Sequence, residues 1–239
     1  MTGTRGSSSF WLKIISLIGV TFFCYLVSQF SDVHIVEHFF PSLKSSQLFP
    51  QFEQHFWQFL FAFLAIGLLS RGHLWSYGIT SKNLKASMYW LGLLYAAILL
   101  LTAIFWRVGS PLSPLLADFS QHPLRKAILA MLTYWLSSPV ANQLLFFGLA
   151  QTVLMKQWGD EVKLFGLPIP VIVSVILFTL WSSSTSFIIG PSSILFTLLL
   201  GMFCGIVYWK TGSLIAPMLG HAFYFGLPLI VQILGMHVL

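Results

Sequence analysis

Long apolar stretches separated by short polar ones dominate this chain, and at helical rise they predict about seven membrane-spanning helices. The first runs from Phe10 to Phe30. The second runs from Phe56 to Ser70, with an earlier start near Phe49 left open. The third covers Ala86 to Trp106, the fourth Ala127 to Met155, and the fifth Pro168 to Trp181. The sixth covers Ser192 to Trp209 and the seventh Leu214 to Met236. The fourth is too long for a simple span: at about 1.5 Å per residue it exceeds 40 Å, against a hydrocarbon core of about 30 Å. It also carries Ser137, Ser138, Pro139, Asn142 and Gln143, which predicts a kinked helix facing a polar interior. An eighth span, or a re-entrant stretch around Pro111 to Phe119, is the alternative count, so the expected range is six to eight. The fold class expected is all-α, a polytopic transmembrane helical bundle forming one domain over residues 1–239.

Composition agrees with the pattern. Of 239 residues, 8% are charged and 57% hydrophobic, where a soluble domain has about 25% charged. The mean hydropathy is +0.86. So little charge cannot form the polar skin of a soluble enzyme, and it excludes an ordinary basic nucleic-acid binder. A signal peptide is a poor reading of the first run, which is too long for an apolar signal core and lacks a small-x-small cleavage site.

The acids are Asp32, Glu37, Glu53, Asp118, Asp160 and Glu161, against twelve Lys and Arg. With the N-terminus inside, Arg5, Lys13, Arg71, Lys82, Lys85, Lys156, Lys163 and Lys210 fall on the inner side. Lys44, Arg107, Arg125 and Lys126 fall outside, so eight oppose four of the twelve and favour a cytoplasmic N-terminus. Cys24 and Cys204 sit in apolar runs and read as packing residues. His34, His38 and His55, with Asp32, Glu37 and Glu53, lie between the first two runs; their spacing matches no metal template, and they read as hydrated loop residues. No metal or other cofactor is expected.

Polar residues inside spans are costly and therefore candidate functional groups. Three stretches collect them: Ser137 to Gly148, Phe178 to Ser184, and Gly212 to Phe225. Of seven histidines, only His221 falls well inside a predicted span. The plain reading is packing: amides bond across helices, and hydroxyls bond back to their own backbone.

These three stretches resemble the motifs of the CPBP family, the CAAX prenyl protease and bacteriocin-processing proteins, which are polytopic glutamic intramembrane proteases. The resemblance covers residues 75–236 and leaves the first two spans outside. The family's first motif reads Glu-Glu-x-x-x-Arg, commonly within E-E-L-L-F-R-G; here Asn142-Gln143-Leu144-Leu145-Phe146-Phe147-Gly148 takes its place. The second, Phe-x-x-x-His, matches Phe178 to Ser182, and the third, His-x-x-x-Asn or Asp, matches His221 to Phe225. Before the third motif, Lys210-Thr211-Gly212-Ser213-Leu214-Ile215-Ala216-Pro217 is similar to the family's R-T-G-S-L-W-A-P.

In the family, a first-motif glutamate aided by the second-motif histidine activates water, and the third-motif His and Asn support the oxyanion. Here the degenerate positions are Asn142, Gln143, Phe147, Ser182 and Phe225, and only His221 persists. A carboxamide cannot act as a general base, and a serine with no neighbouring base is not an activated nucleophile. The frame persists in Phe146, Gly148, Phe178, Gly212 and Pro217, with Gly220 and a Gly201-x-x-x-Gly205 pair.

The resemblance therefore implies a noncatalytic pseudoprotease, with no catalytic residue, that binds another integral membrane protein as scaffold, assembly factor or accessory subunit. Asn142, Gln143, Ser182 and His221 would form a neutral polar cluster, and Phe147 and Phe225 would dry the old site. Two alternatives accompany it: a divergent protease using His221, and a binder of lipid, isoprenoid or pigment. Membrane lipid is an expected partner and nucleic acid is not. A bacterial inner membrane or a thylakoid-type membrane suits the family.

Overall fold

Apolar runs of this length fold as helices because a helix satisfies its own backbone hydrogen bonds. The computed structural model describes residues 10–31, 49–105, 137–185 and 191–222. Within them, α1 spans Phe10–Ser31, α2 Phe49–Ser70 and α3 Leu84–Phe105, with a short 3-10 turn at Leu74–Tyr77. A long helix, α4, covers residues 137–158, then come α5 at Ile169–Thr185 and α6 at Pro191–Thr211. The last helix, α7, is described over residues 215–222. The all-α class expected from the sequence is borne out. Two-residue strands, β1 at Lys163–Leu164 and β2 at Leu167–Pro168, pair as a small hairpin between α4 and α5 that the apolar pattern did not predict.

Helix boundaries follow local chemistry. Pro50 sits in the first turn of α2 and Pro191 begins α6, where a missing N–H costs nothing. α6 stops at Gly212, whose φ of +67° lets its N–H return to Tyr208 O at 2.8 Å. Three hydroxyls inside helices are satisfied locally: Ser174 Oγ donates to Pro170 O, Thr179 Oγ1 to Val175 O and Thr211 Oγ1 to Val207 O, each at 2.8 Å. α2 starts at Phe49, the earlier of the two starts considered. α4 keeps helical structure to Trp158, past the predicted end at Met155, and its predicted portion before residue 137 lies outside the described residues.

The core lies where α4, α5 and α6 meet. Gly201 and Gly205 of α6 face α5: a Cβ on Gly201 would lie 2.8 Å from Phe178 Cδ1, and one on Gly205 would lie 3.1 Å from Val175 Cγ2. The small-x-x-x-small pattern thus lets these two helices approach closely. Phe146, Phe147 and Phe178 fill the space between them. Outward faces are apolar as well. Phe10, Trp11, Ile15, Ile18 and Phe22 on α1, Leu68 on α2 and Leu180 on α5 are exposed. By length and composition, α1 is long and apolar enough over Phe10–Val27 to cross a membrane; Gln54–Ser70, Ile169–Ser182 and Thr197–Thr211 are shorter apolar helical stretches.

One end of the bundle gathers the charge. Trp158 Nε1, ending α4, donates to Lys13 O near the start of α1 at 3.1 Å. Lys156 Nζ lies 3.9 Å above the Tyr77 ring, and Lys210 Nζ lies 3.9 Å above Trp209. Asn83 Nδ2 donates to Thr211 O and Ser213 Oγ to Thr80 O, both at 2.8 Å. These bonds tie the turns after α2, α4 and α6 together. All the lysines and arginines among the described residues therefore share this end: Lys13, Arg71, Lys82, Lys85, Lys156, Lys163 and Lys210.

Candidate functional site

The polar stretch of α4 does not continue as α-helix. Gln143–Gln151 forms a π-helix of 9 residues, every one of them buried. Such wide turns are rare and concentrate at functional sites. Cross-helix hydrogen bonds hold both of its ends. Gln143 Nε2 lies 3.0 Å from His221 Nδ1 on α7, and Gln151 Nε2 donates to Gly205 O on α6 at 3.0 Å. Just beyond, Thr152 Oγ1 and Tyr208 Oη share a hydrogen bond of 2.6 Å.

From this segment side chains reach different neighbours. Phe147 is fully buried against Phe178 of α5, with ring centroids 5.6 Å apart. Phe146 meets the same ring edge-on at 5.9 Å. Gly148 faces the other way: a Cβ there would lie 3.0 Å from Leu214 Cδ1 and 3.2 Å from Tyr77 O. It is a close-approach glycine, whereas Gly212 serves by its positive φ and has open space around it. Pro217 is buried at the start of α7 and its carbonyl receives the Cys204 thiol at 3.7 Å.

His221 sits between α4 and α5. Phe178 contacts its imidazole edge-on, with centroids 5.6 Å apart and planes at 86°. An amide nitrogen only donates, so with the Gln143 amide in this orientation His221 Nδ1 accepts and the ring proton resides on Nε2. The pair is neutral and dry. His221 is 2% exposed and Gln143 wholly buried.

Asn142 joins a second network, and here the structure corrects the sequence. Gln58 Nε2 of α2 donates to Asn142 Oδ1 at 2.7 Å, and Asn142 Nδ2 donates to Ser138 Oγ at 3.1 Å. Gln58 Oε1 lies 3.3 Å from His55 Nδ1. His55 is not a hydrated loop residue: it is 7% exposed and lies on α2. His221 is thus not the one histidine enclosed by helices. The missed signal was helical phase. His55, Gln58, Ala62 and Ile66 recur at spacings of three and four and make one buried face.

The expected cluster of Asn142, Gln143, Ser182 and His221 is rearranged accordingly. Gln143 and His221 meet, Asn142 turns to Gln58 and Ser138, and Ser182 is half-buried one turn beyond Phe178 on α5. Phe225, His34, His38, Asp32 and Glu37 lie outside the described residues, and Glu53 is described only as part of α2. Asp160 and Glu161 follow the C-terminal end of α4, roughly 20 Å along the helix from Gln143 at helical rise. Among the described residues no three His, Cys, Asp or Glu side chains gather as a metal-ligand set. Amides, separate imidazoles and hydroxyls in a buried site can hydrogen-bond a neutral group and lock helices together.

Residues 124–226 match the family model described as type II CAAX prenyl endopeptidase Rce1-like, so this segment is similar to that branch of the CPBP family. The match lies inside the 75–236 core expected from the motifs, and it contains Asn142, Gln143, Ser182, His221 and Phe225. Members of that family are membrane proteins and normally proteases. No curated protein and no solved structure matches the chain.

Proposed function

We propose, from the Rce1-like match of residues 124–226, that this chain is a noncatalytic member which lies in a membrane as a multi-pass protein. There it binds another membrane protein as a scaffold or accessory subunit. The observation that carries the proposal is the contact between Gln143 Nε2 and His221 Nδ1 at 3.0 Å. The resemblance sets a carboxylate at position 143, beside the histidine, and a carboxamide there cannot take a proton from water. Phe147 at the arginine position occupies space that a hydrolytic site would keep wet. The apolar outward faces of α1, α2 and α5 suit lipid or a partner helix. Collection of the described cations at one end supports an N-terminus on the cytoplasmic side.

The test is gentle detergent extraction from the native membrane, followed by identification of what co-purifies. A stoichiometric membrane-protein companion is expected; a monodisperse protein recovered alone would count heavily against the scaffold. A second reading keeps the family's proteolysis, and two buried histidines, His55 on α2 and His221 on α7, favour it. That reading requires His221→Ala or His55→Ala to abolish processing of a prenylated substrate in cells. The noncatalytic reading requires processing to be unchanged.

A further inference from the structure

The hairpin between α4 and α5 is built against local preference. Its loop is Phe165-Gly166, with φ of +53° and +79° between β1 and β2, a two-residue turn needing left-handed backbone at both positions. Asparagine or aspartate is the ordinary choice at the first position, since a bulky side chain is strained there. Phe165 is nevertheless present, and it is 93% exposed, the largest exposure among the large apolar residues described. Val162 and Leu164 beside it are exposed at 52% and 50%. None of the described residues covers the ring.

The surroundings indicate what does. The hairpin stands at the cationic end of the bundle, where seven described cations face Asp160 and Glu161, an excess of five. Lys163 is on the hairpin itself, with Nζ 5.9 Å from the Trp209 ring that Lys210 also covers, and Lys82, Lys85 and Lys210 are exposed at the same end. Trp75 is exposed at the same end. Apolar tips rimmed by lysine and tryptophan match the headgroup layer of a bilayer, and the excess positive charge matches an anionic one.

We propose that this end is a docking surface for anionic phospholipid headgroups, with Phe165 inserted as a wedge at the acyl boundary. The proposal rests on the membrane reading above but not on the noncatalytic one. Phe165 sets the depth, and the surrounding lysines select the charge.

The full chain is reconstituted in lipid nanodiscs of phosphatidylcholine, alone or mixed equally with phosphatidylglycerol. Cys24 and Cys204 are buried, so Leu164→Cys can carry a single fluorescent label. Quenching by headgroup-proximal spin-labelled lipid, with protection from aqueous iodide, is expected, and more strongly in the anionic discs. Phe165→Asn should keep or raise stability in detergent while exposing the label to iodide. Neutralising Lys82, Lys85, Lys163 and Lys210 to glutamine should erase the preference for phosphatidylglycerol, by up to about fivefold per charge. A label open to iodide in a protein that resists alkaline carbonate extraction would overturn this proposal alone. So would a label shielded only by a bound protein. Release by carbonate would overturn the membrane reading and this one with it.

Discussion

Replacing Gln58 by leucine tests whether α2 is part of the site or only lies beside it. Gln58 is wholly buried and donates 2.7 Å to Asn142 Oδ1. Asn142 keeps its own donation to Ser138 Oγ at 3.1 Å, so Gln58→Leu orphans one buried acceptor on that residue. Such an orphan costs about 1–3 kcal/mol. Cross-helix pairs between membrane helices couple by about 0.6 kcal/mol on average and about 1.7 at most, because the unfolded chain in lipid also finds partners. The bond here is short and its surroundings dry, which puts the coupling near 1–2 kcal/mol. Asn142→Leu alone should cost a similar amount by orphaning Gln58 Nε2. The double variant should be less destabilised than the sum, since Ser138 can turn its hydroxyl to its own helix carbonyls. The cycle is measured by detergent-driven unfolding in mixed micelles, followed by circular dichroism on all four proteins. Effects that add within about 0.3 kcal/mol would show that Gln58 and Asn142 do not interact, and the account of α2 as a wall of the site would fail.

Two glycines separate strain from crowding. Gly78 and Gly212 both have positive φ, +84° and +67°, but a Cβ on Gly78 would overlap the Tyr208 ring while one on Gly212 meets open space. Gly212→Ala should cost about 1–2 kcal/mol, the left-handed penalty alone. Gly78→Ala should cost a further 1–3 kcal/mol or so for overpacking; equal losses in thermal unfolding would contradict this packing. Phe147→Arg supplies the arginine that the motif resemblance would set there but places an unpaired charge in a fully buried site, at a cost above about 4 kcal/mol. No folded protein should survive size-exclusion chromatography, and a stable variant would mean that water or an acid reaches the position. Tyr208→Phe removes a partner of Thr152 Oγ1 and should lower stability by about 1 kcal/mol in the same unfolding assay.

Much of the fold could be read from the chain because apolar runs bounded by Pro, Gly and charge leave little alternative to helix. Predicted and observed helix ends for α1, α3 and α6 agree within about two residues, the usual uncertainty at a helix end. Gly201 and Gly205 were visible as a spacing, and the structure added what they admit, namely Phe178, Val175 and Phe147. Three features were not legible, each for a physical reason. The π-turn at Gln143–Gln151 leaves no periodicity signal, since nine buried residues look alike whatever their pitch. The hairpin is too short for an alternating pattern, and Phe-Gly is an unusual sequence for its turn. His55 was misplaced because the count of apolar residues started α2 at Phe56, one residue after it.

That single misplacement bears on the site more than the others do. With His55 assigned to a hydrated loop and Gln58 given no partner, His221 stood as an isolated histidine. With α2 begun at Phe49, its phase carries both side chains onto the face that also holds Ala62 and Ile66. The amides at 142 and 143 then divide their bonds, one toward α2 and one toward α7. Carboxylates in those two positions could not share this arrangement unprotonated. Gln58 Nε2 could still donate to one, but a charge on Ser138 Oγ's partner and another beside His221 would both need desolvation in a dry interior. Neutral amides supply donor and acceptor together and need no counter-ion. The amides at 142 and 143 are thus what lets α2, outside the matched segment, close against it.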